Sequence, residues 1–272
     1  MAAVMWGICS AALNAGQAEP SFSGVFSADR ALISVYGGLE WKNTELGRHA
    51  DFRDGAAHVE PLFESAFLED GAIKRMVIGK LTPSGNRQYN CHACSPLLGG
   101  AIFRQDGDRW IREAVGELIQ PASATHSSLQ LLQIGPQRFA ILHRLSDVHG
   151  GIETREASLI FGLGNELAVR FKAQGFAAPG PGACPLPEQR LLVGTEDEPG
   201  SAREYFDLIV DATWNDASCR DSWQGNRLFL TSSGKACRRV SRYRYRDGSY
   251  QLLSTPVDQC TPLAERTVEA AG

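Results

Sequence analysis

The stretch Gly100-Ala-Ile-Phe-Arg-Gln-Asp-Gly-Asp-Arg-Trp-Ile-Arg-Glu-Ala114 decides the fold class. Two short runs flank Asp106-Gly107, and glycine takes the positive φ that a tight hairpin turn demands, so the segment reads as two antiparallel strands. The same pattern continues on both sides. Ile73–Leu81 reads as a strand before the hairpin. Leu129–Ile134, Phe139–Ser146, Ile152–Phe161 and Glu166–Ala173 read as strands after it, separated by turns at Gly135-Pro136, His149-Gly150-Gly151 and Gly162–Asn165. Further on, Tyr205–Thr213 and Arg227–Thr231 read as strands, and Val240–Leu253 as a second hairpin turning on Asp247-Gly248. The expectation is a mainly β protein of antiparallel meander or sandwich-like sheets, either one large domain or two β subdomains.

One short helix is expected near the N-terminus, over Val59–Leu68. Leu62, Phe63, Ala66 and Phe67 are spaced to make one apolar face, and Glu60-Pro61 suits a first turn. Glu69-Asp70 then reads as the turn that ends it. Residues 1–18 read as a signal peptide, 19–56 as an extended or irregular segment, and 57–175 as a β-rich domain with a leading helix. Residues 176–201 concentrate Gly and Pro as a loop or linker, and 202–272 form a C-terminal β subdomain.

The signal-like segment carries no charged side chain, and Gly16-Gln17-Ala18 places small residues where a leader is cut. It lacks the positive start of such leaders, which leaves an ordinary N-terminal helix as the alternative. The apolar run is too short to span a bilayer, and no other stretch is a membrane-span candidate. The chain has seven cysteines; removal of 1–18 takes Cys9 and leaves an even six, as a disulfide framework in an oxidising compartment requires. The candidates are Cys91, Cys94, Cys184, Cys219, Cys237 and Cys260. Cys91 and Cys94 can close locally, which leaves four for two bridges in the C-terminal region.

Asn90-Cys91-His92-Ala93-Cys94-Ser95-Pro96 is the most distinctive local motif, and it admits several readings. A structural bridge fits an exported chain. A redox dithiol, with His92 stabilising a thiolate, lacks the helix start and βαβ setting usual for it. A metal site would use Cys91, His92 and Cys94 but falls short of four ligands, and Ser95 excludes haem attachment. A second metal candidate joins His143 and His149, expected on or near the tip of one hairpin with Asp147 between them.

Nucleophile-elbow, P-loop and dinucleotide-binding patterns are missing, so no catalytic residue is assigned and no cofactor is expected. Asp207 and Asp211 share one face of a strand, as paired working carboxylates or as a plain exposed edge. In Arg238-Arg-Val-Ser-Arg-Tyr-Arg-Tyr-Arg246, alternation places Arg238, Val240, Arg242, Arg244 and Arg246 on one face and Arg239, Ser241, Tyr243 and Tyr245 on the other. Arg242, Arg244 and Arg246 are therefore candidate anion binders. With a formal net charge of −4 the chain has no dense positive field, which argues against nucleic acid and anionic membranes as partners.

The segment from Glu64-Ser-Ala-Phe-Leu-Glu-Asp-Gly-Ala-Ile-Lys74 through Cys91-His-Ala-Cys94 to Gly-Gly-Ala-Ile-Phe103 and Trp110 resembles part of a family of uncharacterised exported bacterial proteins. The likeness covers about residues 63–114 and implies export rather than an activity. The expectation is a periplasmic or secreted, non-enzymatic protein that binds a small-molecule or protein partner. The alternative is a thiol-redox or metal-dependent enzyme centred on Cys91, His92 and Cys94.

Overall fold

A computed structural model describes residues 21–42, 55–83, 96–121, 126–149, 152–174, 178–179, 190–196, 203–224 and 227–269. It is mainly β, with two sheets and one helix among these residues. The first sheet contains β1 (Ser21–Ser23), β2 (Glu40–Lys42), β3 (Ala56–Glu69), β4 (Ala72–Pro83), β5 (Leu97–Asp106) and β6 (Arg109–Pro121). It continues with β7 (His126–Gly135), β8 (Arg138–His149), β9 (Ile152–Leu163), β10 (Glu166–Gln174) and the short β11 (Ala178–Pro179). The second sheet holds β12 (Arg190–Glu196), β13 (Asp207–Gln224), β14 (Arg227–Arg246), β15 (Ser249–Leu252), β16 (Gln259–Pro262) and β17 (Arg266–Glu269). The helix, α1, spans Ala28–Tyr36.

The expected helix over Val59–Leu68 is instead the body of β3, and its pairing with β4 shows why. The register slips between Pro61 and Phe63, so a bulge flips the alternation midway. Before it, Ala57 and Val59 face α1; after it, Phe63 and Phe67 face the other side of the sheet. Read without the bulge, these positions imitate a helical stripe. Glu69-Asp70-Gly71 is not a helix end but a hairpin turn: Asp70 and Gly71 have φ of 52° and 76°, both left-handed, as Asp247 and Gly248 do at 50° and 83°.

The real helix lies in the segment expected to be extended or irregular. Ser27 caps it by accepting a bond from Arg30 N–H, and the Gly37 N–H closes it on the Ile33 carbonyl. Its buried face, Ala31, Leu32 and Tyr36, packs with Ala57, Val59, Val77, Leu81 and Phe103. Gly99 makes room for it: a Cβ there would lie 2.1 Å from the Tyr36 hydroxyl.

The first sheet runs β2-β3-β4-β5-β6-β10-β9-β8-β7, so the meander is broken once. At that seam β6 and β10 are parallel and share the single pair Val115 and Glu166. The sheet curls until β3 and β8, far apart in this order, touch through Phe67 and Phe139, whose rings are 5.1 Å apart. The inner face is apolar, with Met76, Ile78, Leu98, Ile102, Ile141 and Ile160 buried together. On the outer face, α1 covers one half and the second sheet covers the other. There Leu142, Leu159, Phe161 and Phe171 meet Leu191, Val193, Leu208, Val210 and Tyr250. The two sheets thus share a core. β12, within the stretch expected to be a linker, belongs to that core.

Candidate functional site

The curled sheet has two ends, each with a small cavity. At the upper end lie the turns joining β3 to β4, β7 to β8 and β9 to β10. A cavity of about 180 Å³ there is lined by Glu69, Lys74, Glu113, Arg138, Glu204 and Tyr205, among others. Its charges neutralise one another. Lys74 reaches Glu69 at 2.9 Å and Glu113 at 2.7 Å, and Arg104 holds the second oxygen of Glu113 at 2.8 Å. Burial pushes the Lys74 pKa down, but the bonds to Glu113 and Glu69 outweigh it and leave the ammonium with a raised pKa.

Arg138, on the adjoining turn, binds Asp70 at 2.7 Å and Glu204 at 2.8 Å. The Asp70 N–H donates to the Gln137 side chain, so the tips of two distant hairpins are clasped by side chains. The curl is fastened here without a backbone ladder.

The lower end differs. A cleft of about 220 Å³ opens where β7, β8 and β9 meet β12, lined by Ser127, Ser128, Arg144, Leu145, Ser146, Arg155, Glu156 and Leu191. Strand alternation explains its make-up. Ala140 and Leu142 face the second sheet, and Arg144 and Ser146 continue that face beyond the edge of the shared core. Glu156 is already engaged: Lys172 lies 3.3 Å away, and Ser158 Oγ donates to it at 3.2 Å. Among the described residues Arg144 has only a neutral partner, donating from Nη1 to Gln130 Oε1 at 3.0 Å, and its Nε is buried with no acceptor.

Comparison with protein-family models, curated proteins and solved structures returned no match for this chain. The site therefore rests on its own geometry.

His143 sits beside the cleft, wholly buried, with Nε2 and Ser127 Oγ 2.9 Å apart. Burial lowers its pKa to about 4, against a smaller upward pull from Glu156. A base that weak is poorly matched to deprotonating a serine at neutral pH, where the efficient catalytic base titrates near the working pH. The pair reads as a buried imidazole given a hydrogen-bond partner.

The pairing expected between His143 and His149 does not form a site. Both lie on β8, six positions along one strand, which separates them by about 20 Å. The strand runs on through Asp147 where a tip was expected. No group of three or more metal-ligating side chains occurs among the described residues. Cys91, His92, Cys94 and Cys184 lie outside those residues, and Cys219 stands on β13 opposite Ser232.

Cys237 and Cys260 are joined by a disulfide between β14 and β16. The arginines of β14 split by face as alternation predicts, but they are not an open anion site. Arg242 pairs with Glu196 at 3.1 Å, and Arg244 makes a two-pronged contact with Asp207 at 2.9 and 2.7 Å. Arg244 thereby holds the Asp207 carboxyl below its ordinary pKa. Arg246, next to the Asp247-Gly248 turn, is exposed. Asp207 and Asp211 do share a face, yet Asp211 is bound to Arg238 at 2.6 Å. They serve as counter-charges. Sequence reading missed Arg144, because the missing carboxylate around it is a property of the folded neighbourhood.

Proposed function

We propose that this is an exported, non-enzymatic binding protein that takes a small ligand in the lower cleft. The observation that carries the reading is the state of Arg144: a guanidinium in the wall of a preformed cleft between two sheets, whose partner among the described residues is a neutral amide oxygen and no carboxylate. Charged groups are ordinarily paired or solvated, so a guanidinium at a cavity wall that lacks a carboxylate is a place for a ligand atom. The upper cavity offers no comparable vacancy, since its cations are already held by carboxylates. The Cys237–Cys260 bridge supports export, because such bonds persist in oxidising compartments.

The test is ligand retention. The protein, equilibrated with extract from its own cells and passed through gel filtration, is assayed by mass spectrometry beside Leu191→Trp, which fills the cleft. Compounds retained by the wild type are expected to be lost from the variant and recovered chemically unchanged. Equal retention by both proteins, or conversion of the bound compound, would overturn the reading.

A further inference from the structure

We propose that the Cys237–Cys260 bridge is a redox switch: a dithiol reductant opens it in the folded protein, and the segment carrying β16 then lets go of β14. The bridge joins residues that face each other directly across the antiparallel pair, 23 positions apart in the chain. Its two sides differ. Cys237 is 4% exposed, whereas Cys260 is exposed together with the rest of β16. Exposed disulfides are the labile ones that serve regulation, while protected ones resist reduction.

What else holds β16 is slight. From Gln251 to Leu263 no residue is buried, and Val257 is 80% exposed. Ordering a chain segment carries an entropy cost that buried apolar surface normally offsets, and this segment buries no side chain. Its remaining attachments are a four-position ladder from Lys235 opposite Pro262 to Arg238 opposite Gln259, the Leu263 N–H donating to the Gly234 carbonyl, and the ion pair of Asp258 with Arg239 at 2.6 Å. That pair is open to solvent, where an ion pair adds little stability. The preceding strand differs: β15 is anchored by buried Tyr250, whose ring lies 5.3 Å from that of Tyr245 and 5.8 Å from that of Phe171. The opening is therefore confined to the chain after β15.

The exchange starts on the exposed side. A thiolate of the reductant attacks Cys260 Sγ, the Sγ–Sγ bond breaks, and Cys237 leaves as a thiolate that takes up a proton. The second thiol of the reductant, losing its proton, attacks the mixed disulfide, closes the reductant's own disulfide and releases Cys260, which is protonated in turn. Two electrons pass from the dithiol to the bridge. The freed segment bares the backbone edge of β14 from Lys235 to Arg238. In an oxidising compartment the closed form is the resting one.

The experiment treats the full chain with dithiothreitol at neutral pH and without denaturant. Alkylation with peptide mass spectrometry reads the state of Cys237 and Cys260, and hydrogen exchange reads the amides of Gln259–Thr261. The bridge is expected to open while β15 and the β13–β14 ladder stay protected. Exchange in β16 should rise on the order of a hundredfold, because the closed loop no longer suppresses local opening. Oxidised dithiothreitol should reverse both changes. The double variant Cys237→Ser/Cys260→Ser should exchange fast in β16 from the outset and gain nothing from reductant, which separates this bridge from the other cysteines.

A bridge that is reduced only after urea unfolds the protein, or whose reduction leaves β16 protected, overturns the proposal. Loss of β13–β14 protection together with that of β16 also overturns it, since the bridge would then hold the whole sheet. If the double variant keeps β16 protected until reductant is added, the effect belongs to another pair of cysteines and the assignment fails.

Discussion

The upper and lower ends of the curled sheet enclose cavities of similar size, about 180 and 220 Å³, and treat charge in opposite ways. Above, Lys74 is 12% exposed and lies between Glu69 and Glu113, while Arg138 ties two hairpin tips to Glu204. Below, Arg144 has a neutral partner, and His143 is buried with its pKa lowered by that burial. Desolvating a charge is costly unless it is paired, so a network of complementary charges is a structural fastening. A cation whose pairing is incomplete leaves bonding capacity for something else. The difference separates a cavity whose charges are paired within the fold from one that keeps bonding capacity.

The sharpest way to break this comparison is to remove a charge from the upper end. Lys74→Ala leaves two poorly exposed carboxylates facing each other, and the expected loss is about 3 kcal/mol, the low end for breaking a buried pair, because Arg104 still holds Glu113. Urea unfolding would measure it. A loss under about 1 kcal/mol would mean that the upper network is ornamental.

The next effect belongs to the lower end and to pH. The His143 pKa is lowered by folding, from 6.5 to about 4. The unfolded chain therefore binds the proton more readily, and stability is complete above about pH 6.5, falls as pH drops toward 4, and is flat below that. The full shift corresponds to at most about 3 kcal/mol. In His143→Gln, the part of the acid sensitivity confined to this window should disappear, as followed by thermal melting across the pH series. A slope unchanged by the substitution would place its origin elsewhere.

The smallest stability effect is expected where the functional effect is largest. Arg144→Gln removes no ion pair, so its cost should stay under about 0.5 kcal/mol in the same urea assay. A loss comparable to that of Lys74→Ala would erase the distinction between the two ends.

Strand content was legible because alternation and turn chemistry are local. The hairpin at Asp106-Gly107 and the one at Asp247-Gly248 form between the strands that flank them in the chain. Asp70-Gly71 carried the same turn chemistry, and giving it the same weight would have corrected β3, whose bulge at Leu62 disguised the alternation as a helical stripe. Ser27 and Gly37 likewise bracketed α1 with a start and a stop. The placement of β10 beside β6 was not legible, since one parallel pair at Val115 and Glu166 leaves no trace in either strand.

The site was less legible than the fold. Whether an arginine is committed depends on which acid lies across from it. Asp211 and Asp207 reach Arg238 and Arg244 from the adjoining β13, and Glu196 reaches Arg242 from β12 one strand further, through a register that no short stretch of sequence specifies. Arg144 looked no different from them until its surroundings were assembled.

The strand β14 is twenty residues long and is paired along one side by β13. Its other side is tiled in three pieces: β15 from Tyr243 to Arg246, β16 from Lys235 to Arg238, and β17 from Phe229 to Ser232. A bare edge of that length would be a template for strand addition by a second chain. The tail of the protein is a guard rail along that edge, and the bond from Cys237 to Cys260 rivets its middle section in place. Seen this way, the disulfide serves solubility as much as stability, by keeping a long strand from recruiting its own kind.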